Sequence, residues 1–195
     1  MIGSHKKLNL KLDVQELKSV LNSMPEEFGK YPQRGEFKGS PHSEMKDIWV
    51  RYNDVEPFLK SGDFSKFGDE HDSIWYDIAD KLPIKDLLFK IMEAVDGERL
   101  GGVLITKLPA GGKIKAHTDS GWHAAYYDKY YVPIQNKIGS TFGFEDGIIR
   151  PDEGDVWWFD NSIKHWVDND TNEDRIAMIV CIKTDNEKGE KYVNK

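Results

Sequence analysis

From residue 97 onward, β-branched and aromatic residues come in short runs separated by turn residues: "GGVLITKL", "GKIKAH", "KYYVPI", "STFGF", "GIIR", "DVWWFD", "KHWVDN" and "RIAMIVCIKT". Runs of this length and spacing predict about eight strands, arranged as an antiparallel sandwich or barrel. The first half reads differently. Leu12, Leu17, Val20, Leu21 and Met24 fall near helical spacing within residues 12–24, with Asp13 and Glu16 as a capping pair. Two more helices are predicted over "SIWYDIADKL" and "IKDLLFKIMEAV", divided by Pro83 and ended by Gly97. Between the first helix and these lie a Pro- and Gly-rich stretch at 25–47, a strand at "DIWVRY", and a second loop reaching about residue 70. Long loops of this kind often border a binding site.

The expected fold is therefore mainly β with flanking helices. Residues 1–97 form a helical and loop part packed on a barrel at 98–184, and 185–195 form a polar tail of the same single domain. Gly154 and Asp155 read as turn residues feeding "VWWF", and adjacent Trp157 and Trp158 must face opposite sides of a strand. "DNDTNED" reads as a solvated hairpin loop.

Charge and composition narrow the function. Against 27 Lys and Arg stand 34 Asp and Glu, a net charge of -7, which offers no general attraction to a phosphate backbone, so no nucleic-acid partner is expected. No apolar run approaches the roughly 18 residues that span a bilayer, and the N-terminus lacks the apolar core of a signal peptide. The single cysteine, Cys181, lies in an apolar run as a buried thiol. The expectation is a cytoplasmic protein without a membrane partner. "GSH" at 3–5 reads as a tag remnant, so His5 carries no functional weight; His42 and His71 fall in polar stretches and read as surface residues.

"IKAHTDSGWH" concentrates the chemistry. His117 and Asp119, two apart on an extended chain, project to the same side. His165, 46 positions after Asp119, can lie beside them across an antiparallel sheet. Two imidazoles and a carboxylate with coordination positions left free are the ligand set of non-haem Fe(II) oxygenases. Arg175 heads the mostly apolar face Arg175, Ala177, Ile179, Cys181, and a buried guanidinium there needs an anion. The far carboxylate of 2-oxoglutarate is such an anion, gripped by two parallel hydrogen bonds. His123 and Trp122, beside the metal motif, and Arg51, in "WVRYND", are candidates for substrate contact, although Arg51 reads first as an ordinary surface ion pair.

The order His-x-Asp, His, then Arg ten residues later resembles the Fe(II)/2-oxoglutarate-dependent dioxygenases. "TKLPAGGKIKAHTD" followed by "GDVWWFDNSIKHWVDNDTNEDRIAMIV" is similar to their aspartyl/asparaginyl β-hydroxylase branch. The resemblance covers roughly residues 98–184. It implies a double-stranded β-helix (jelly-roll, cupin-like) core, Fe(II) on His117, Asp119 and His165, 2-oxoglutarate on Arg175, and O2 as the oxidant. It also implies that Thr106 helps hold the 2-oxoglutarate carboxylate. Where the branch has an Arg-x-His pair touching the co-substrate, this chain has Lys129 and Tyr131. Animal members carry glycine at the aspartate position, whereas Asp119 completes a three-residue site here.

The expected activity is hydroxylation of an amino acid, free or in a peptide. A small-molecule tailoring oxygenase and a non-oxidative cupin-like ligand-binding module are the alternatives, and Arg175 favours an oxygenase over the module. A nucleic-acid demethylase of the same superfamily would carry a second arginine at position 181, which is Cys181 here.

Overall fold

The computed structural model describes residues 3–36 and 39–185. Its strands are β1 (His5–Lys11), β2 (Lys46–Tyr52), β3 (Ile74–Trp75), β4 (Gly97–Leu108), β5 (Lys113–His117), β6 (Asp128–Gln135), β7 (Ser140–Phe144), β8 (Gly147–Ile149), β9 (Asp155–Phe159), β10 (His165–Asn169) and β11 (Arg175–Thr184). Its α-helices are α1 (Gln15–Ser23), α2 (Gln33–Glu36), α3 (Glu56–Ser61), α4 (Lys85–Ala94) and α5 (Trp122–Tyr126). A seven-stranded sheet runs β1-β9-β6-β11-β4-β2-β3, and a four-stranded sheet runs β5-β10-β7-β8. All pairings are antiparallel.

Period-2 alternation sorts the large sheet into two faces. Ile176, Met178, Val180 and Ile182 of β11, with Tyr130, Val132 and Ile134 of β6, join one buried cluster with Leu17 and Leu21 of α1 and Leu88 and Ile91 of α4. Residues one step out of phase point the other way. Tyr131 and Ala177 pack with Leu108 and Phe159 against Phe142, Phe144 and Val167 of the small sheet. Helices α1 and α4 thus cover one face of the large sheet and the small sheet covers the other, the layout expected of a double-stranded β-helix. Trp157 and Trp158 divide as their spacing requires. Trp158 joins the helix-side cluster and donates Nε1–H to Asp128 at 2.9 Å, while Trp157 packs towards the small sheet.

All eight runs after residue 97 are strands, and the elements before it account for most corrections. His5–Lys11, for which the sequence pattern predicts no element, is strand β1 on β9, where partly buried Leu8 and Leu10 alternate with Lys7, Asn9 and Lys11. Here His5 stacks on Phe144 with ring centroids 4.9 Å apart. Helix α1 starts at Gln15 rather than Leu12. Asp13 accepts from the Gln15 N–H at 3.1 Å, but Glu16 returns no capping bond. "SIWYDIADKL" is not a helix: it gives the two-residue β3 and a 3-10 turn at Asp77–Asp80, since Tyr76 is tied back by its N–H to the Val50 carbonyl. Gly97 is not the left-handed terminator after α4; Asp96 takes that conformation, φ 50°. A Cβ on Gly97 would lie 2.6 Å from Ile182 Cγ2, so close strand packing explains the glycine. "DNDTNED" is only partly solvated. Asn169 is buried and donates Nδ2–H to the carbonyls of Leu108, Pro109 and Glu173, pinning the hairpin. Of the polar tail at 185–195, all but Asp185 lies outside the described residues, and among the described residues no helix is long and apolar enough to cross a membrane.

Candidate active site

Strand pairing brings His117 and His165 together. β5 and β10 are neighbours in the small sheet, and the two histidines are register partners with ring centroids 4.4 Å apart. Each ring is oriented the same way. Nδ1–H of His117 donates to the Lys115 carbonyl at 2.7 Å, and Nδ1–H of His165 donates to the Ile163 carbonyl at 2.9 Å. A carbonyl can only accept, so in its neutral form each ring carries its proton on Nδ1 and presents a bare Nε2 lone pair, the form a metal needs. His117 Nε2 is enclosed and has no hydrogen-bond partner.

Asp119 follows two residues after His117, its N–H held by the Asn161 carbonyl at 2.9 Å. Its Oδ1 lies 3.5 Å from His117 Nε2. Its Oδ2 accepts from Lys129 Nζ at 2.5 Å and from Asn161 Nδ2 at 3.3 Å. Burial disfavours the carboxylate's charge, yet the Lys129 ammonium outweighs it and holds Asp119 well below the usual carboxylate range. Burial likewise opposes the Lys129 ammonium, and Asp119 outweighs it and raises that pKa. Burial lowers His165, partly offset by Asp119, so its ring is neutral at pH 7.

The opposite wall of the same cavity comes from the large sheet. Arg175, Thr106 and Tyr131 line it on three adjacent strands, β11, β4 and β6. Arg175 is 3% exposed, and its guanidinium carbon sits 5.0 Å from the centre of the Tyr131 ring. Among the described residues no carboxylate pairs with it. Thr106, buried, makes one long contact to the Ala177 carbonyl, 3.4 Å. A buried cation with only a ring beneath it and a hydroxyl nearby makes a ready anion site.

Three residues of the Pro- and Gly-rich stretch, Arg34, His42 and Met45, also line this cavity. Arg34, on α2, donates to Asp47 at 3.2 Å, and His42 lies edge-on to His117, ring centroids 4.7 Å apart. His42 is therefore not a surface residue. Burial, followed by the charge of Arg34 and by His117, pushes it down to about 2. One ligand atom each from His42, His117 and Asp119 lie within 4.8 Å of one another.

The three substrate candidates sit apart from the metal cavity. Arg51 is on β2 at the far edge, donating Nε–H to the Leu100 carbonyl at 3.3 Å and a second N–H to the Ser73 carbonyl, with its guanidinium over Trp75. Those bonds replace the surface ion pair expected of it. Trp122 and His123 lie on α5, tied to the site by Asn161, whose Nδ2 bridges Asp119 and the Ala124 carbonyl. Around them gather Tyr52 and His71, the latter stacked nearly parallel to His123 at 5.9 Å. His71 is thus half-buried in an aromatic wall rather than a surface residue.

His123 supplies a pH test. Burial, followed by the charge of Lys129, lowers it from 6.5 to about 3. An unfolded chain binds a proton at this residue below about pH 6.5 and the folded one does not, so its contribution to stability is present above that pH and lost as pH falls. Between pH 6.5 and 4.5 the slope from one such group reaches about 1.4 kcal/mol per pH unit. Urea melts of metal-free wild type and His123→Phe across this range are expected to show a shallower slope in the variant, since Asp119 titrates lower still. Equal slopes would count against a buried neutral His123.

Solved structures share the fold. A Pseudomonas putida prolyl-4-hydroxylase aligns with TM-score 0.54 and 10% identity over 93% of this chain and 92% of its own. The viral collagen prolyl hydroxylase of Paramecium Bursaria Chlorella virus-1, as its 2OG complex, aligns with TM-score 0.51 and 13% identity over 94% and 97%. A 2OG-Fe(II) oxygenase family oxidoreductase from Burkholderia pseudomallei aligns with TM-score 0.51 and 11% identity over 80% and 77%. No curated protein sequence matches the chain. Fold and site together define an Fe(II)- and 2-oxoglutarate-dependent dioxygenase. Residues 80–184, just over half of the chain, match the family model described as Aspartyl/Asparaginyl beta-hydroxylase, and the chain belongs to that family. Its cofactor is Fe(II) and its co-substrates are 2-oxoglutarate and O2, which sets aside the non-oxidative ligand-binding module.

Proposed function

We propose that this dioxygenase hydroxylates an amino acid, free or within a peptide, with His117, Asp119 and His165 holding the iron and Arg175 holding the far carboxylate of 2-oxoglutarate. The observation that carries this reading is the pairing, within one cavity, of two lone-pair-presenting histidines beside a carboxylate with a buried guanidinium that lacks an anion. The donor set suits Fe(II): two neutral imidazoles and one ionised oxygen donor. Bound there, the iron supplies the oxidising chemistry that couples decarboxylation of 2-oxoglutarate to hydroxylation of a C–H bond.

The chain's own residues position and exclude. The backbone carbonyls of Lys115 and Ile163 fix the tautomer and tilt of the two imidazoles. Lys129 and Asn161 occupy Asp119 Oδ2, leaving Oδ1 turned towards His117. Arg175 anchors the co-substrate, Tyr131 stacks beneath it, and Thr106 offers a hydroxyl. Phe142, Phe159 and Val167 keep water from the cavity. Trp122 and His123, with Tyr52 and His71, border the substrate; Arg51 is left a structural role.

Anaerobic titration of the metal-free protein with Fe(II) and then 2-oxoglutarate tests the site through the weak visible metal-to-ligand band. The band is expected in wild type and absent in His165→Ala. Succinate release over a panel of amino acids and peptides then identifies the substrate class, and turnover only with compounds that are neither would overturn it.

A further inference from the structure

The segment carrying His42 lies outside every strand and helix, yet it is built into the site. Pro41 accepts the Lys115 N–H of β5 at 3.2 Å, Glu44 accepts the Lys113 N–H at 2.9 Å, and the His42 N–H is held by Ser40 Oγ at 3.1 Å. The backbone of His42 is thus fastened along the strand that ends in His117. Its Nδ1 is enclosed and unpartnered, as is His117 Nε2, and both belong to residues whose ligand atoms converge with those of Asp119.

Coordination geometry gives this convergence a meaning. A metal about 2.1 Å from an imidazole nitrogen lies about 3.2 Å from the ring centroid, so two imidazoles at right angles on one ion have centroids about 4.6 Å apart. His117 and His165 stand at 4.4 Å, and His117 and His42 at 4.7 Å. Both pairs match that spacing, and the ligand atoms that converge within 4.8 Å are those of His42, His117 and Asp119.

We propose that His42 is a fourth protein ligand of the metal while 2-oxoglutarate is absent, and that the co-substrate displaces it. The proposal rests on the assignment of His117, Asp119 and His165 as ligands. With those three residues holding the ion, the co-substrates would need the position that His42 would take. His42 must then give way. The hydrogen bonds of the ring agree with this. His117 and His165 are fixed by bonds of 2.7 and 2.9 Å, whereas His42 Nε2 meets only Arg34 Nη2 at 3.5 Å, too long to lock a tautomer or an orientation. The backbone of His42 is fixed while its ring lacks a short hydrogen bond, so a change of side-chain rotamer would suffice to withdraw it.

The test is Co(II) binding, which needs no turnover and tolerates air. Metal-free wild type, His42→Ala and His42→Phe are titrated by calorimetry and by the visible Co(II) spectrum, with and without saturating 2-oxoglutarate. Without it, both variants are expected to bind Co(II) about tenfold or more weakly than wild type, with a changed spectrum; with it, affinities and spectra converge. Unchanged affinity and spectrum without 2-oxoglutarate would overturn the proposal, as would a loss that persists undiminished with it. Thermal melts of the metal-free variants identify misfolding, and the ring-preserving His42→Phe guards against it. A wild type that binds no Co(II), or a His165→Ala variant that binds it normally, overturns the underlying ligand assignment instead.

Discussion

Arg175→Met is expected to weaken 2-oxoglutarate binding from about 30-fold to several thousandfold while leaving Fe(II) affinity nearly unchanged. The range follows from the cost of removing one member of a buried, hydrogen-bonded charge pair, about 2 to 5 kcal/mol, at 1.4 kcal/mol per tenfold. Methionine keeps much of the side-chain volume over Tyr131 and removes the charge. The proposed iron ligands lie on β5 and β10 and just after β5, whereas Arg175 heads β11 of the other sheet, so the metal should not register the change. Stability supplies a second, independent sign. In the unliganded protein Arg175 is a buried cation without a carboxylate, so its removal should not lower the melting temperature and can raise it. Wild type should gain stability from added 2-oxoglutarate, whereas the variant should gain far less at the same concentration. Arg175→Lys keeps the charge but loses the two-pronged grip, and should fall between. A Met variant that binds 2-oxoglutarate like wild type would remove Arg175 from the site.

The second half of the chain was legible because its strands carry their own signals. Alternation in "RIAMIVCIKT" puts Arg175, Ala177 and Ile179 on the face that meets the small sheet, and it does so in the structure. His-x-Asp on an extended chain needs only local geometry, and its partner His165 arrives through register with His117. The first half was harder, because tertiary pairing overrides local preference there. "HKKLNLKL" is a strand only because β9 offers an edge, and "SIWYDIADKL" loses its helix to the pull of Val50 on Tyr76. His42 and Arg34 sit in "KYPQRGEFKGSPHSEMK", where no periodicity marks a face; the only signal was a long Pro- and Gly-rich loop, a common border of a site. His71 joins His123 across a similar loop, a contact that sequence separation conceals.

Asp119→Asn should do two things at once, and a second substitution should separate them. Loss of the anionic oxygen donor removes one of the three proposed iron ligands, so Fe(II) affinity should collapse. The same change strands Lys129, whose side chain is 14% exposed and whose ammonium is 2.5 Å from Asp119 Oδ2. Breaking a buried pair by removing one partner costs about 3 to 5 kcal/mol, which for a chain of this size lowers the melting temperature by about 6 to 20 °C. If Asp119 served only the metal, the metal-free protein would not care. Replacing Lys129 as well, as Asp119→Asn with Lys129→Met, removes the uncompensated charge and fills the space with an apolar chain, a change that is often neutral or stabilising. The double variant should regain most of the melting temperature and none of the iron binding. Lys129→Met alone leaves a buried carboxylate with Asn161 as its side-chain hydrogen-bond partner, so it should destabilise the metal-free protein and be rescued in part by Fe(II), which supplies the missing positive charge. Calorimetric melts of the four proteins with and without metal complete a double-mutant cycle. A coupling near zero in the metal-free state would show that Lys129 does not hold Asp119 in place; a large coupling that shrinks on adding Fe(II) would show the lysine standing in for the metal's charge until the ion arrives.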